Sequence, residues 1–127
     1  MPARVQITKE VYMIIKANDM TTVRKEHLQG GTGAVDCTVV VPQDLMIHAR
    51  LFNLLSLHKG DSIGVHEHHN EVEYYYILKG QGIVSDKDGE STACVGDVVI
   101  TGWGASHSIR NEGDEDLVFL AVISTEK

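Results

Sequence analysis

Short apolar segments alternating with turn-forming clusters set the rhythm of this 127-residue chain. Residues 11–17, 34–42, 49–58, 73–80, 82–86, 96–102 and 116–123 are rich in β-branched and aromatic side chains, which suit a pleated, half-buried surface. Between them stand HKGD, KGQG, DKDGE, VGD, GWGA and NEGDED. Turn signals spaced by roughly 8 to 16 residues predict an antiparallel sandwich or barrel with short connections, an all-β fold. At most one short N-terminal helix fits beside it, over 19–28 (DMTTVRKEHL), with a cap-like Asp19 and a stop at Gly30 and Gly31. QGGTG (29–33) reads as a mobile loop bordering a pocket.

Length and charge narrow the function. The chain suits one domain over residues 1–127, with its N-terminal strand and loop in 1–33. Acids outnumber bases 18 to 11, a formal charge of −7, which argues against a phosphate-backbone partner. No apolar run is long enough to span a bilayer and no basic-apolar leader opens the sequence, so no membrane partner and a cytoplasmic location are expected. Cys37 and Cys94 lie far apart outside any CxxC pattern and are read as reduced thiols.

The stretch 64–77, GVHEHHNEVEYYYI, carries the chemistry. On a strand, His66 and His68 share one face while Glu67 and His69 take the other. Glu73 falls on the wrong parity for an unbroken strand, but HNEV offers a hairpin loop that would fold it back towards the histidines. Beyond it, Glu73, Tyr75 and Ile77 face one way and Tyr74, Tyr76 and Leu78 the other, so a central strand covered on both faces is expected. His107, after the Gly-rich turn in TGWGASHSIRN, is the fourth candidate ligand. Three imidazoles and one carboxylate suit one divalent transition metal ion, Mn, Fe, Co, Ni or Zn, with positions left for water or substrate.

Other polar residues read more modestly. His69 faces away or lies in the loop and is not expected to be a ligand; His27, His48 and His58 read as structural or exposed, and Glu67 and Glu71 as solvated acids. Tyr75, Glu71 and His69 are the candidate proton-transfer groups. Arg50 stands in an apolar strand, either as a clamp for a substrate carboxylate or as an outward side chain with a buried stem. Tyr75 could lend a hydroxyl to a pocket, and Trp103 could line its mouth or cover the core. Asn53 is ambiguous.

Gly60, His66, His68, Glu73 and Gly80, followed by Gly96, Gly104, His107 and Asn111, resemble at matching spacing the two motifs of the cupins. The motif-bearing core is 49–123, and Gly102 stands where the second motif usually has proline, which loosens the turn before His107. The resemblance implies a double-stranded β-helix, or jelly-roll barrel, with a metal at its mouth. It implies His66, His68, Glu73 and His107 as ligands, and the glycines and Asn111 as turn-shaping residues. It also implies a homodimer, for which residues 1–17 are the candidate contact. More narrowly, residues 62–82 and 96–109 look like short bacterial cupins labelled oxalate decarboxylase-like. Two function classes follow: a metalloenzyme acting on a small carboxylate, enol or sugar-like molecule by decarboxylase, isomerase, lyase or dioxygenase chemistry, and a metal-dependent binding or sensor module without turnover.

Overall fold

The computed structural model describes residues 14–127. The strands are β1 (Thr22–Glu26), β2 (Ala34–Val39), β3 (Ala49–Leu57), β4 (Ser62–Glu67), β5 (Glu71–Lys79), β6 (Gly82–Asp86), β7 (Gly89–Ala93), β8 (Val98–Gly102), β9 (Ser106–Arg110) and β10 (Leu117–Thr125). They form two antiparallel sheets, one ordered β1-β2-β3-β10-β5-β8 and the other β4-β9-β6-β7. This is the jelly-roll architecture, with one core shared by both sheets. No helix among the described residues is long and apolar enough to cross a membrane.

Period-two alternation builds that core. Along β10, Leu117, Phe119, Ala121 and Ile123 are buried while the residues between them are half-buried. On the neighbouring β5, Glu73, Tyr75 and Ile77 point inward. Ala121 lies opposite Tyr75, and its small side chain leaves room for the phenol ring, which packs 4.5 Å from Phe119. Tyr75, Phe119 and Leu57 are among the largest fully buried side chains, each worth about 1.5–3 kcal/mol in apolar burial.

The N-terminal part departs from the sequence reading. No α-helix spans 19–28: Ala17–Asp19 is a single 3-10 turn, and Thr22–Glu26 pairs with Ala34–Thr38 as β1 on β2. A helix this short is marginal in isolation, whereas the strand gains Arg24–Asp36 and Thr22–Thr38 side-chain pairs across the ladder. Of the strand expected at 11–17, residues 11–13 lie outside the described residues, and 14–16 form no strand. The loop 29–33 is pinned rather than mobile. Its Gly31 lies against Gly64 of β4 so closely that a Cβ on Gly64 would meet the Gln29 carbonyl oxygen at 2.0 Å, and one on Gly31 the Ser62 carbonyl oxygen at 2.2 Å. Strand β7 was read as part of a turn because its polar, mostly exposed residues show no apolar alternation.

Two irregularities matter for the site. In the β4–β9 ladder, Ile63 pairs with Ile109 and His66 with His107, so β4 carries one extra residue at Gly64–Val65. Ile63 is buried and Val65 is 69% exposed, so the bulge, not simple alternation, turns His66 inward. In the β3–β10 ladder, Ile123 pairs with Leu51 and Ser124 with Ala49, which leaves Arg50 as the bulged residue.

The outer face of the six-stranded sheet is apolar. Ile100, Tyr74, Val122 and Phe52 form one cross-strand row, and Val98, Tyr76, Leu120 and Leu54 the next. Strand β5 is central, as expected, but only its inner face is covered: Tyr76, Val98 and Ile100 are 47%, 53% and 53% exposed.

Candidate metal centre

Three strands and one loop deliver four donor atoms to one point. His66 sits on β4, His107 opposite it on β9, and Glu73 on β5. His68 follows β4, its N–H donating to the Ala105 carbonyl and its carbonyl accepting from Gly104 N–H. The connection from β4 to β5 is not a hairpin. It crosses between sheets in the short turn His68–Asn70, with Asn70 at φ 58, and this crossing brings Glu73 back onto the histidines.

The ligating atoms of His66, His68, Glu73 and His107 lie within 4.8 Å of one another. His107 Nε2 stands 2.9 Å from His66 Nε2, 3.2 Å from His68 Nε2 and 2.9 Å from Glu73 Oε1. Glu73 Oε1 is 3.4 Å from His66 Nε2 and 2.9 Å from His68 Nε2. Imidazole nitrogens about 2.1 Å from a common ion stand about 3.0–3.4 Å apart at right or tetrahedral angles, so the spacing fits a metal.

The outer nitrogens fix the orientation. His66 Nδ1–H donates to the Gly64 carbonyl at 2.7 Å, and His68 Nδ1–H to Glu71 Oε2 at 2.6 Å. Neither acceptor has a proton to give, so in the neutral rings Nε2 carries a bare lone pair aimed at the shared point. His107 Nδ1 is held by the Thr101 hydroxyl at 2.8 Å. Burial works against charge on Glu73, yet bonds from His107 and His66 outweigh it and hold its carboxyl at about 2. A neutral His66 has its one proton committed at Nδ1, so its bond to Glu73 needs an imidazolium, whereas the Thr101 hydroxyl can donate to His107 Nδ1 and leave a neutral His107 to donate to Glu73 from Nε2. Burial pulls His107 down, whereas His66 rises despite burial because Glu73 and the Gly64 carbonyl accept from it.

The surrounding candidates are sorted by their contacts. Tyr75 is 1% exposed and stacks on His107 at 5.0 Å, with its hydroxyl 3.5 Å from His107 Nε2. Burial pushes its pKa well above the usual value. Glu71 is not a solvated acid: besides His68 it accepts Arg50 Nε–H and Nη2–H, each at 2.8 Å, and Arg50 is the main cause that holds its carboxyl at about 2. Arg50 is thus an outward side chain, 44% exposed, whose guanidinium is engaged by Glu71. His69 points outward and pairs with Glu67.

Trp103 is 81% exposed, at φ 55 in the β8–β9 turn. It neither covers the core nor touches the four donors, and instead edges a groove of about 430 Å³ that includes Asn70, Glu71 and Thr125. Gly102 does not leave its turn loose. A Cβ there would meet Val72 Cγ2 at 2.7 Å, and its carbonyl accepts Ala105 N–H. Buried Asn111 holds its own turn, donating to the Leu57 and Glu115 carbonyls and accepting from Gly113 N–H. Sequence reading missed Thr101, which has no local signal, and the role of Glu71, whose parity with Glu73 and Tyr75 marks the same inward face.

The fold has counterparts. The Cupin domain family model matches residues 53–123. An oxalate-binding protein of Thermotoga maritima is 40% identical over 112 residues, covering 87% of this chain and 93% of the relative. The crystal structure of a predicted oxalate decarboxylase from Thermotoga maritima superposes with a TM-score of 0.85 at 39% identity, covering 89% of this chain and 99% of that one. A cupin 2 conserved barrel domain protein from Rhodopseudomonas palustris has a TM-score of 0.69 at 20% identity over 85% of this chain and 73% of its own, a likeness of fold. With more than half of its length matched by the family model and a relative at 40% identity, this chain belongs to the cupin family.

Proposed function

We propose that this protein is a single-domain, metal-dependent cupin that holds a small carboxylate, with His66, His68, Glu73 and His107 as the ligands. The observation that carries the reading is the convergence of three Nε2 lone pairs and one ionised carboxylate, with two of the three rings locked from behind by partners that can only accept. A divalent first-row ion held there would supply Lewis-acid polarisation of a bound oxygen. The oxalate-binding relative favours a short dicarboxylate as the ligand.

Capture without turnover is the reading that the geometry supports best, because among the described residues no free general base faces the donors. Glu71 is engaged by Arg50 and His68, and His69 is turned outward. The second reading is an enzyme, on which one observation bears. The Tyr75 hydroxyl keeps its proton and points at the donor cluster, where it could donate to a ligand oxygen. Decarboxylation, isomerisation, lyase chemistry and dioxygen-dependent cleavage all share such a scaffold.

Metal content by mass spectrometry of untagged protein, beside His66→Ala and His107→Ala, tests the site. Near-stoichiometric metal in the wild type and its loss in both variants are expected. Calorimetric titration of the loaded protein with oxalate, followed by assay of carbon dioxide and formate, then separates capture from turnover. Absence of metal after reconstitution with Mn, Fe, Co, Ni and Zn would refute the metal reading.

The outer apolar face of the six-stranded sheet, at Tyr76, Val98 and Ile100, also supports a homodimer; of the contact expected at residues 1–17, residues 1–13 lie outside the described residues. Exposed apolar rows of this kind mark protein interfaces.

A further inference from the structure

The three ligand imidazoles are held from behind in unequal ways. His66 leans on a backbone carbonyl and His107 on a hydroxyl, whereas His68 alone leans on a carboxylate, that of Glu71. A carboxylate acceptor makes an imidazole a more basic ligand and fixes its ring more firmly than a neutral acceptor does. Glu71 is in turn held by both oxygens. Arg50 Nε–H donates to Oε1 and Nη2–H to Oε2, each at 2.8 Å, in the planar two-bond geometry that only guanidinium supplies.

This arrangement is built by the backbone. By alternation along β3, Arg50 would face away from the inward residues Leu55 and Leu57. The bulge at Arg50 frees it from the β10 ladder, and its side chain reaches past β10 to Glu71 at the start of β5. Bulges that re-aim one side chain recur beside functional sites. The side chain of Glu71 is 14% exposed, that of His68 3%, and that of Arg50 44%, so the relay runs from the surface to the buried ligand.

From this geometry we propose that Arg50 and Glu71 are positioning residues for the metal ligand His68, and that this relay sets the affinity of the centre for its metal. The inference rests on the metal reading given above. Glu71 presents a carboxylate acceptor to His68 Nδ1–H and so leaves His68 Nε2 unprotonated and aimed at the shared point. Arg50 keeps the carboxylate in that place and out of solvent. Loss of such an outer partner typically lowers metal affinity 10–100-fold.

The test uses metal-free protein titrated with Zn or Co against a competing chelator, for the wild type, Glu71→Ala, Glu71→Gln, Arg50→Lys and Arg50→Gln. Glu90→Gln, at an exposed position of β7 whose partner is Arg110, is the control. Affinity is expected to fall about 10–100-fold in Glu71→Ala. A smaller fall is expected in Glu71→Gln, whose amide oxygen still accepts, and in both Arg50 variants, with no change in Glu90→Gln.

Long-range nitrogen–proton NMR of the histidine rings in metal-free protein gives a readout that mere destabilisation would not move. His68 should be the Nδ1–H tautomer in the wild type and a mixture in Glu71→Ala, with the other rings unchanged. Equal affinities and an unchanged His68 tautomer in folded Glu71→Ala would overturn the relay while leaving the metal centre standing. A wild type that binds neither Zn nor Co would overturn both, and an Nε2–H tautomer in the wild type would overturn the relay alone.

Discussion

Gly64→Ala tests how the N-terminal loop and the β4 bulge hold His66. The added Cβ would stand 2.0 Å from the Gln29 carbonyl oxygen and 2.9 Å from Gln29 C and Gly31 N, all backbone atoms. Ordinary contact needs about 3.4 Å, so loop and strand must part by about 1.4 Å. Overpacking of this kind costs about 1–3 kcal/mol. Parting the two also strains the bonds that join them, Thr32 N–H to Ser62 Oγ at 2.7 Å and Ser62 N–H to the Thr32 carbonyl at 2.9 Å, worth about 1 kcal/mol each. Against this, replacing glycine with alanine recovers about 0.5–1 kcal/mol of chain entropy. The net is about 3 kcal/mol. For a domain of this length about 4 °C of Tm corresponds to 1 kcal/mol, so a fall of about 12 °C is expected in thermal melts of metal-free protein. Gly113→Ala, whose Cβ would meet only Asn111 Oδ1 at 3.5 Å, should melt within about 2 °C of the wild type. A Gly64→Ala melt as close as that to the wild type would show that the loop does not press on β4, and the account of the bulge would fail with it.

Two further outcomes follow from surfaces away from the site. His58 Nδ1 lies 2.9 Å from Asp116, whose carboxylate raises the imidazole pKa above its usual value. A raised folded-state pKa stabilises below the unfolded value near 6.5 and is lost as pH rises through the folded one; the gap in urea midpoint between wild type and His58→Gln should therefore be largest below about pH 6 and shrink as pH rises above it. A gap that widened with pH would reverse the assignment. On the outer sheet face, Tyr76→Lys with Ile100→Lys should convert a dimer to a folded monomer in light scattering; a dimer that persists would move the contact elsewhere.

Much of the fold was legible because strands carry their own periodicity: the inward run Leu117, Phe119, Ala121 and Ile123 is written directly in β10. The short polar strand β7 and the exposed strand β1 carry no such pattern, since cross-strand pairing and not apolar burial stabilises them. The four donors were legible as a spacing, but the reason they meet was not. Regular alternation from the buried Ile63 would turn His66 outward, and it is the bulge at Gly64–Val65 that turns it inward. The polar shell was harder still, since Thr101 reaches His107 across the β8–β9 turn and Arg50 reaches Glu71 from 21 residues away, and a single sequence gives no sign of such encounters.

Both bulges amount to flaws in an otherwise regular ladder. Pairing β4 with β9 residue for residue through Val65, or removing Arg50 from β3, would restore strict alternation and leave a tidier sheet. The first would send His66 outward and the second would strip Glu71 of its guanidinium. The proposed centre thus rests on two irregularities that strict pairing would not contain. In this barrel a change of strand length by one residue is more damaging than most changes of side chain, and a variant selected only for heat resistance would be expected to lose the centre first.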